Sequence, residues 1–148
     1  MDKMEVNKKN HIFSKEGSAM NAKYMIDPSG VKQYVCDNTI KGYEFGVKIP
    51  YYMGVPLSQI DLYKVYMDGT EVDPEDIRLI MKTGEEFKMS EILTVGTYFW
   101  EYGESLRTVV LKEGGLPKGE HELKVEVRIA VFYFPKDTLN TAILKFEI

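Results

Sequence analysis

Thiol and imidazole are scarce in this chain: its 148 residues include one cysteine, Cys36, and two histidines, His11 and His121. A single cysteine excludes an intrachain disulfide, and neither histidine stands in a ligand-spaced group with Cys, Asp or Glu, so no metal site is expected. A basic surplus is absent as well. Lys and Arg number 19 against 23 Asp and Glu, for a net charge of -4 and a pI near 5.3. Nucleic-acid binders need concentrated Lys and Arg to neutralise phosphates, so this balance argues against nucleic acid as a partner. No apolar run approaches the roughly 20 residues that a membrane-spanning helix requires. The N-terminal stretch also lacks the apolar segment of a signal peptide, so the expected address is the cytoplasm, with no membrane partner.

What is present suits a packed domain: 44% hydrophobic and 12% aromatic residues can form one core without a disulfide or a metal. Residues from Met1 to Ala22 are polar and Lys-rich without an apolar period, and 1–22 is therefore expected to be a disordered arm ahead of a single domain over 23–148. From Val31 onward the dominant period is two. Tyr43, Phe45, Val47, Ile49 and Tyr51 alternate with Glu44, Gly46, Lys48 and Pro50, which predicts a strand with one wet face. Leu123 to Tyr133 alternate in the same way until Ala130, Phe132 and Phe134 make the outer face apolar too, and Ala142, Leu144, Phe146 and Ile148 mark a last strand. Asp68-Gly69 is a hairpin signal, and Thr83-Gly84, Gly114-Gly115 and Lys118-Gly119 break later runs. Only Ser90 to Val95 suggests a helical turn, with Ser90 as its N-cap. The expected fold is all-β: an antiparallel β-sandwich of about seven to nine strands with at most one short helix.

Catalytic chemistry is hard to find. The carboxylates mostly alternate with Lys or Arg on outer strand faces, Cys36 has only Lys32 and Lys41 nearby to lower its pKa, and no serine sits in a nucleophile elbow. Gly114-Gly115 and Lys118-Gly119 lack Walker spacing and a following helix, so they read as a hairpin turn rather than a phosphate loop. No catalytic residue, metal ligand or cofactor is assigned to this chain. Two aromatic groups stand out instead: Tyr51-Tyr52-Met53-Gly54-Val55-Pro56-Leu57-Ser58, and Trp100 flanked by Tyr98, Phe99 and Tyr102. Each is open to two readings, a packed loop or a partner interface, since Tyr, Trp and Met are enriched at interface cores.

The order of these motifs resembles a known family. The Tyr51 to Ser58 segment is followed by Val65-Tyr66-Met67-Asp68-Gly69, by Trp100, by Gly114-Gly115-Leu116 with Gly119 and His121, and by Tyr133-Phe134-Pro135. In this the chain resembles the small (beta) subunit of bacterial C-glycoside deglycosidases over about Val31 to Pro135. The resemblance implies a heteromeric enzyme, a carbon-carbon lyase, that cleaves the bond between sugar and aglycone in 3-oxo-C-glycosides such as flavonoid C-glucosides. It further implies a larger catalytic alpha subunit with a (β/α)8 barrel, carrying a divalent metal, expected to be manganese, and the acid/base residues. This chain would then be non-catalytic and dock on that barrel. The candidate interface residues are Tyr51, Tyr52, Met53, Gly54, Pro56 and Trp100. The rival readings are a stand-alone carbohydrate-binding β-sandwich, its sugar stacked on an exposed aromatic such as Trp100, and a small β-barrel enzyme with an unrecognised carboxylate site.

Overall fold

The computed structural model describes residues 25–50, 54–130 and 139–148, together with the backbone of 11–14. The strands are β1 (His11–Ser14), β2 (Lys32–Cys36), β3 (Thr39–Lys48), β4 (Val55–Pro56), β5 (Ile60–Met67), β6 (Thr70–Glu71), β7 (Ile77–Ile80), β8 (Glu86–Lys88), β9 (Phe99–Trp100), β10 (Ser105–Leu111), β11 (Glu120–Ile129) and β12 (Asn140–Glu147). They form two five-stranded sheets, β1-β12-β11-β5-β6 and β2-β3-β10-β7-β8, plus the short pair β4-β9; all pairings are antiparallel.

Side-chain alternation explains the sandwich. Phe45 and Val47 of β3, with Leu106 and Val110 of β10, share one buried cluster with Val65 of β5 and with Leu123, Val125 and Val127 of β11. Each such side chain removed from water contributes about 1.5 to 3 kcal/mol, so facing two alternating sheets is the favourable arrangement. The expected all-β antiparallel fold is thus the one observed. Twelve strands among the described residues exceed the expected count because β4, β6 and β9 are two-residue pairings and β1 lies in the stretch read as an arm. That arm falls mostly outside the described residues, but His11–Ser14 within it pair with Lys145 to Ala142 of β12, where no element was expected.

Local differences have local causes. The Asp68-Gly69 hairpin forms as predicted, with both residues at positive φ (53° and 85°), the backbone that a two-residue turn with the twist of its strands requires. The helical turn is a 3-10 stretch over Met89–Thr94, and its N-cap is Lys88 rather than Ser90: the Glu91 carboxylate accepts the Lys88 N–H at 2.7 Å. Two further 3-10 turns lie at Leu57–Gln59 and Pro74–Asp76. The run 112–119 is not a hairpin, since β10 and β11 lie in different sheets. It crosses from one sheet to the other and is held by Gln33, whose Nε2 donates to Leu116 O (2.8 Å) and whose Oε1 accepts the Leu116 N–H (3.0 Å). Gly115, at φ 69°, lets the loop come this close; a Cβ there would strike Gln33 Oε1 and lie 2.7 Å from Ile40 Cγ2.

Candidate functional site

The motifs of the sequence gather at opposite ends of the sandwich. β5 carries the chain from one end, at Ile60, to the other, at Met67; eight residues of strand place these ends about 23 Å apart.

At the Ile60 end, β4 lies against β9 in the register Val55 to Trp100 and Pro56 to Phe99. Gly54 permits this approach, because a Cβ there would sit 2.8 Å from Glu101 Oε1 and 3.0 Å from the Trp100 carbonyl oxygen. Leu57 then turns inward, fully buried, and its N–H donates to Tyr98 O at 3.0 Å. The indole N–H of Trp100 is shared between Val47 O (3.1 Å) and Glu104 O (3.2 Å), and its ring meets Tyr63 edge-on with centroids 6.2 Å apart. Trp100 is 0% exposed. Its assignment to a docking surface is therefore corrected: it is a core anchor, with its one polar atom satisfied inside, and it offers no face on which a sugar could stack.

The neighbours of Trp100 in sequence face outward. Along 93–102 three large apolar side chains are exposed: Leu93 (69%), Phe99 (46%) and Tyr102 (64%). Phe99 is one register step from the buried Trp100, so strand alternation turns it to the solvent side beside half-buried Pro56. Of the expected interface residues, Gly54 and Pro56 lie on this rim, while Tyr51, Tyr52 and Met53 lie outside the described residues. Tyr133, Phe134 and Pro135 do too, although β11 runs to this same end, where the Ala130 N–H donates to Gln59 O at 2.8 Å. Nothing in the period of two marked Leu93, since it belongs to a 3-10 turn.

At the Met67 end, the Asp68-Gly69 turn meets the crossing loop. Asp68 Oδ2 lies 2.7 Å from His121 Nδ1, Asp68 Oδ1 accepts the Glu122 N–H at 2.9 Å, and His121 Nε2 lies 2.7 Å from Pro117 O. With an acceptor at each ring nitrogen, the imidazolium satisfies both contacts and the neutral ring only one. Burial lowers the His121 pKa, but the Asp68 carboxylate and the Pro117 carbonyl outweigh it and hold the group above its ordinary value. Asp68 is likewise opposed by burial, yet hydrogen bonds from His121 and the Glu122 amide hold its carboxyl below the usual range. Beside this pair opens a cleft of about 410 Å³ floored by Tyr43, Met67, Val110 and Leu116. His121 stands in no ligand-spaced group in the sequence, and its partner lies 53 positions away; only the fold brings the turn aspartate and this strand histidine together.

A third polar group, on the β3-β10 face, is structural. Arg107 Nε and Nη2 donate to Glu44 at 2.7 and 3.3 Å, and Ser105 hydrogen-bonds Asp27, tying 25–30 to β10. Among the described residues no three His, Cys, Asp or Glu side chains are grouped so as to hold a metal ion, and no helix is long and apolar enough to cross a membrane.

Comparison with known proteins covers both ends. The chain is 33% identical over 96 residues to the C-glycoside deglycosidase beta subunit of Eubacterium cellulosolvens, covering 65% of either protein, just under two thirds of that relative. It is 29% identical over 94 residues to the 3'-dehydrocarminate deglycosidase beta subunit of a Microbacterium species, covering 64% of this chain and 70% of the relative. A model of the C-glycoside deglycosidase beta subunit family matches residues 21–133, which include β2 to β11, the Trp100 anchor and the Asp68-His121 pair. The chain belongs to the C-glycoside deglycosidase beta subunit family.

Proposed function

We propose that this chain is the non-catalytic small subunit of a cytoplasmic, heteromeric C-glycoside deglycosidase. Its partner is a larger alpha subunit with a (β/α)8 barrel, which holds the divalent metal, manganese, and the acid/base groups and breaks the carbon-carbon bond between sugar and aglycone of a 3-oxo-C-glycoside. The family match over 21–133 is the observation that carries this reading. The surface supports it: Leu93, Phe99 and Tyr102 stand exposed, Phe99 next to the buried Trp100 whose indole is held by Val47 O and Glu104 O. Rigid aromatic area held on a packed frame loses little entropy on binding, which is what an interface anchor requires. Gly54 and Pro56 shape the rim of that face, and Tyr51, Tyr52 and Met53 extend it in sequence. The barrel's active-site mouth is built of loops, and a docked sandwich can order or cover them without supplying a reacting group.

Co-expression with the alpha subunit tests the reading. The expected result is a stable complex that deglycosylates a 3-oxo-C-glycoside, with no turnover by this chain alone; separate elution, or turnover by the lone chain, would overturn it.

A further inference from the structure

The cleft beside Asp68 and His121 lies at the far end from the proposed docking face and is not used by it. Its rim carries four carboxylates, Asp68, Glu71, Asp73 and Asp76, against two bases, Lys112 and His121; four negative less two positive leaves two negative charges when His121 is protonated. Asp68 is committed to His121 and the Glu122 amide, and one oxygen of Asp73 accepts the Glu75 N–H at 3.0 Å. Glu71 and Asp76 make no side-chain hydrogen bond or ion pair among the described residues. An independent feature lies at the floor. Tyr43 is only 1% exposed and lines the cleft, yet its hydroxyl has no hydrogen-bond partner among the described residues. That oxygen is not sealed away, because among the described residues the only side-chain polar atom both fully buried and unpartnered is Asn140 Oδ1. The phenol is held in the core, near the Asp68 and Asp76 carboxylates of the rim, with no protein partner for its hydroxyl among the described residues, so a group that enters the cleft can take up that hydrogen bond in place of water.

We propose that this cleft is a binding site for a cationic group that only donates hydrogen bonds, a guanidinium or a primary ammonium on an aliphatic stem. The head would donate to the Tyr43 hydroxyl, Glu71 and Asp76, a set able to accept throughout, and it would offset the surplus negative charge. The stem would lie along Met67, Val110 and Leu116. A neutral polyol could make the hydrogen bonds without balancing the charge, and an anion is repelled.

The full chain titrated with L-argininamide, followed by backbone amide shifts, tests this. Saturable shifts confined to 42–44, 67–76 and 110–121 are expected. Asp76→Asn should weaken binding by about tenfold, the loss of one charge-assisted hydrogen bond. Tyr43→Phe should weaken it by about threefold to tenfold while leaving the melting temperature unchanged, since the hydroxyl supports nothing in the fold. Repeating the titration on the complex with the alpha subunit separates the two sources: binding lost on assembly identifies a basic side chain of that partner, and binding retained identifies a free small amine. The proposal is overturned if argininamide fails to saturate, if Asp76→Asn has no effect, or if glucose binds the same residues as tightly.

Discussion

The Tyr63 hydroxyl and Thr108 Oγ1 lie 2.6 Å apart in the buried interior, joining β5 of one sheet to β10 of the other. Thr108 Oγ1 also lies 3.3 Å from Leu106 O, so it donates there and accepts from Tyr63. Burial pushes the Tyr63 phenol far up, more than the Thr108 hydrogen bond lowers it, and keeps it a donor at any ordinary pH. Tyr63→Phe strips the donor from Thr108 and should cost about 1 to 2 kcal/mol in urea unfolding. In the Thr108→Val background the same change should cost much less, a coupling that a double-mutant cycle reads directly.

Trp100 and Phe99 should behave oppositely although they are adjacent. Trp100→Ala empties a core position and strips two carbonyls of their indole partner, with an expected loss of about 3 to 5 kcal/mol in the melting curve of the lone subunit. Phe99→Ala should leave that curve within about 0.5 kcal/mol, the range of ordinary surface changes, and should show its effect only in assembly.

The Asp68-His121 pair predicts a pH dependence with a definite sign. His121 has its pKa raised in the folded chain, so its contribution is complete below its unfolded pKa of about 6.5 and fades as pH rises through the higher folded value. Asp68 is lowered, so its contribution is complete above its unfolded pKa of about 3.8 and fades as pH falls below that. Stability from this pair is therefore greatest between about pH 4 and 6.5. Asp68→Asn should flatten the fall on the alkaline side, as followed by denaturant midpoints from pH 5 to 8.

Gly54 frames the proposed docking face. Gly54→Val would push β4 away from Glu101 and the Trp100 carbonyl, and should lower the melting temperature of the lone subunit as well as its assembly. A surface glycine such as Gly96, which has open space around it, should tolerate Ala.

The strands with a strict period of two were legible in the sequence: burial alternates from Leu123 to Ile129 and from Phe45 to Ile49, while Glu44, expected on a wet face, is buried and paired with Arg107. The Asp68-Gly69 hairpin was legible because its turn chemistry is local. Sheet membership was not, as the 112–119 loop shows. Gly-Gly and Lys-Gly announce a break, but whether the chain then pairs with its predecessor or crosses to the other sheet is set by distant partners, such as Gln33, about 80 residues away in sequence, which holds the crossing loop. The candidate site was half legible for the same reason. An aromatic cluster around Trp100 is visible in the sequence, whereas which of its rings is buried depends on the register of β9 against β4. Composition marks both indole and phenyl as interface types; only the register turns Trp100 in and Phe99 out.

The central claim is that the 93–102 face holds this subunit to a catalytic partner, and the most direct test is a calorimetric titration of the cognate alpha subunit with wild-type chain and with the Phe99→Ala, Tyr102→Ala double variant. Saturable binding by the wild type is expected, weakened by about thirtyfold or more in the variant, as for loss of an anchor of about 2 kcal/mol or more, with the melting curve of the variant unchanged. Equal affinity of the folded variant and the wild type would contradict this face as the interface, and no binding by either would contradict the subunit role itself.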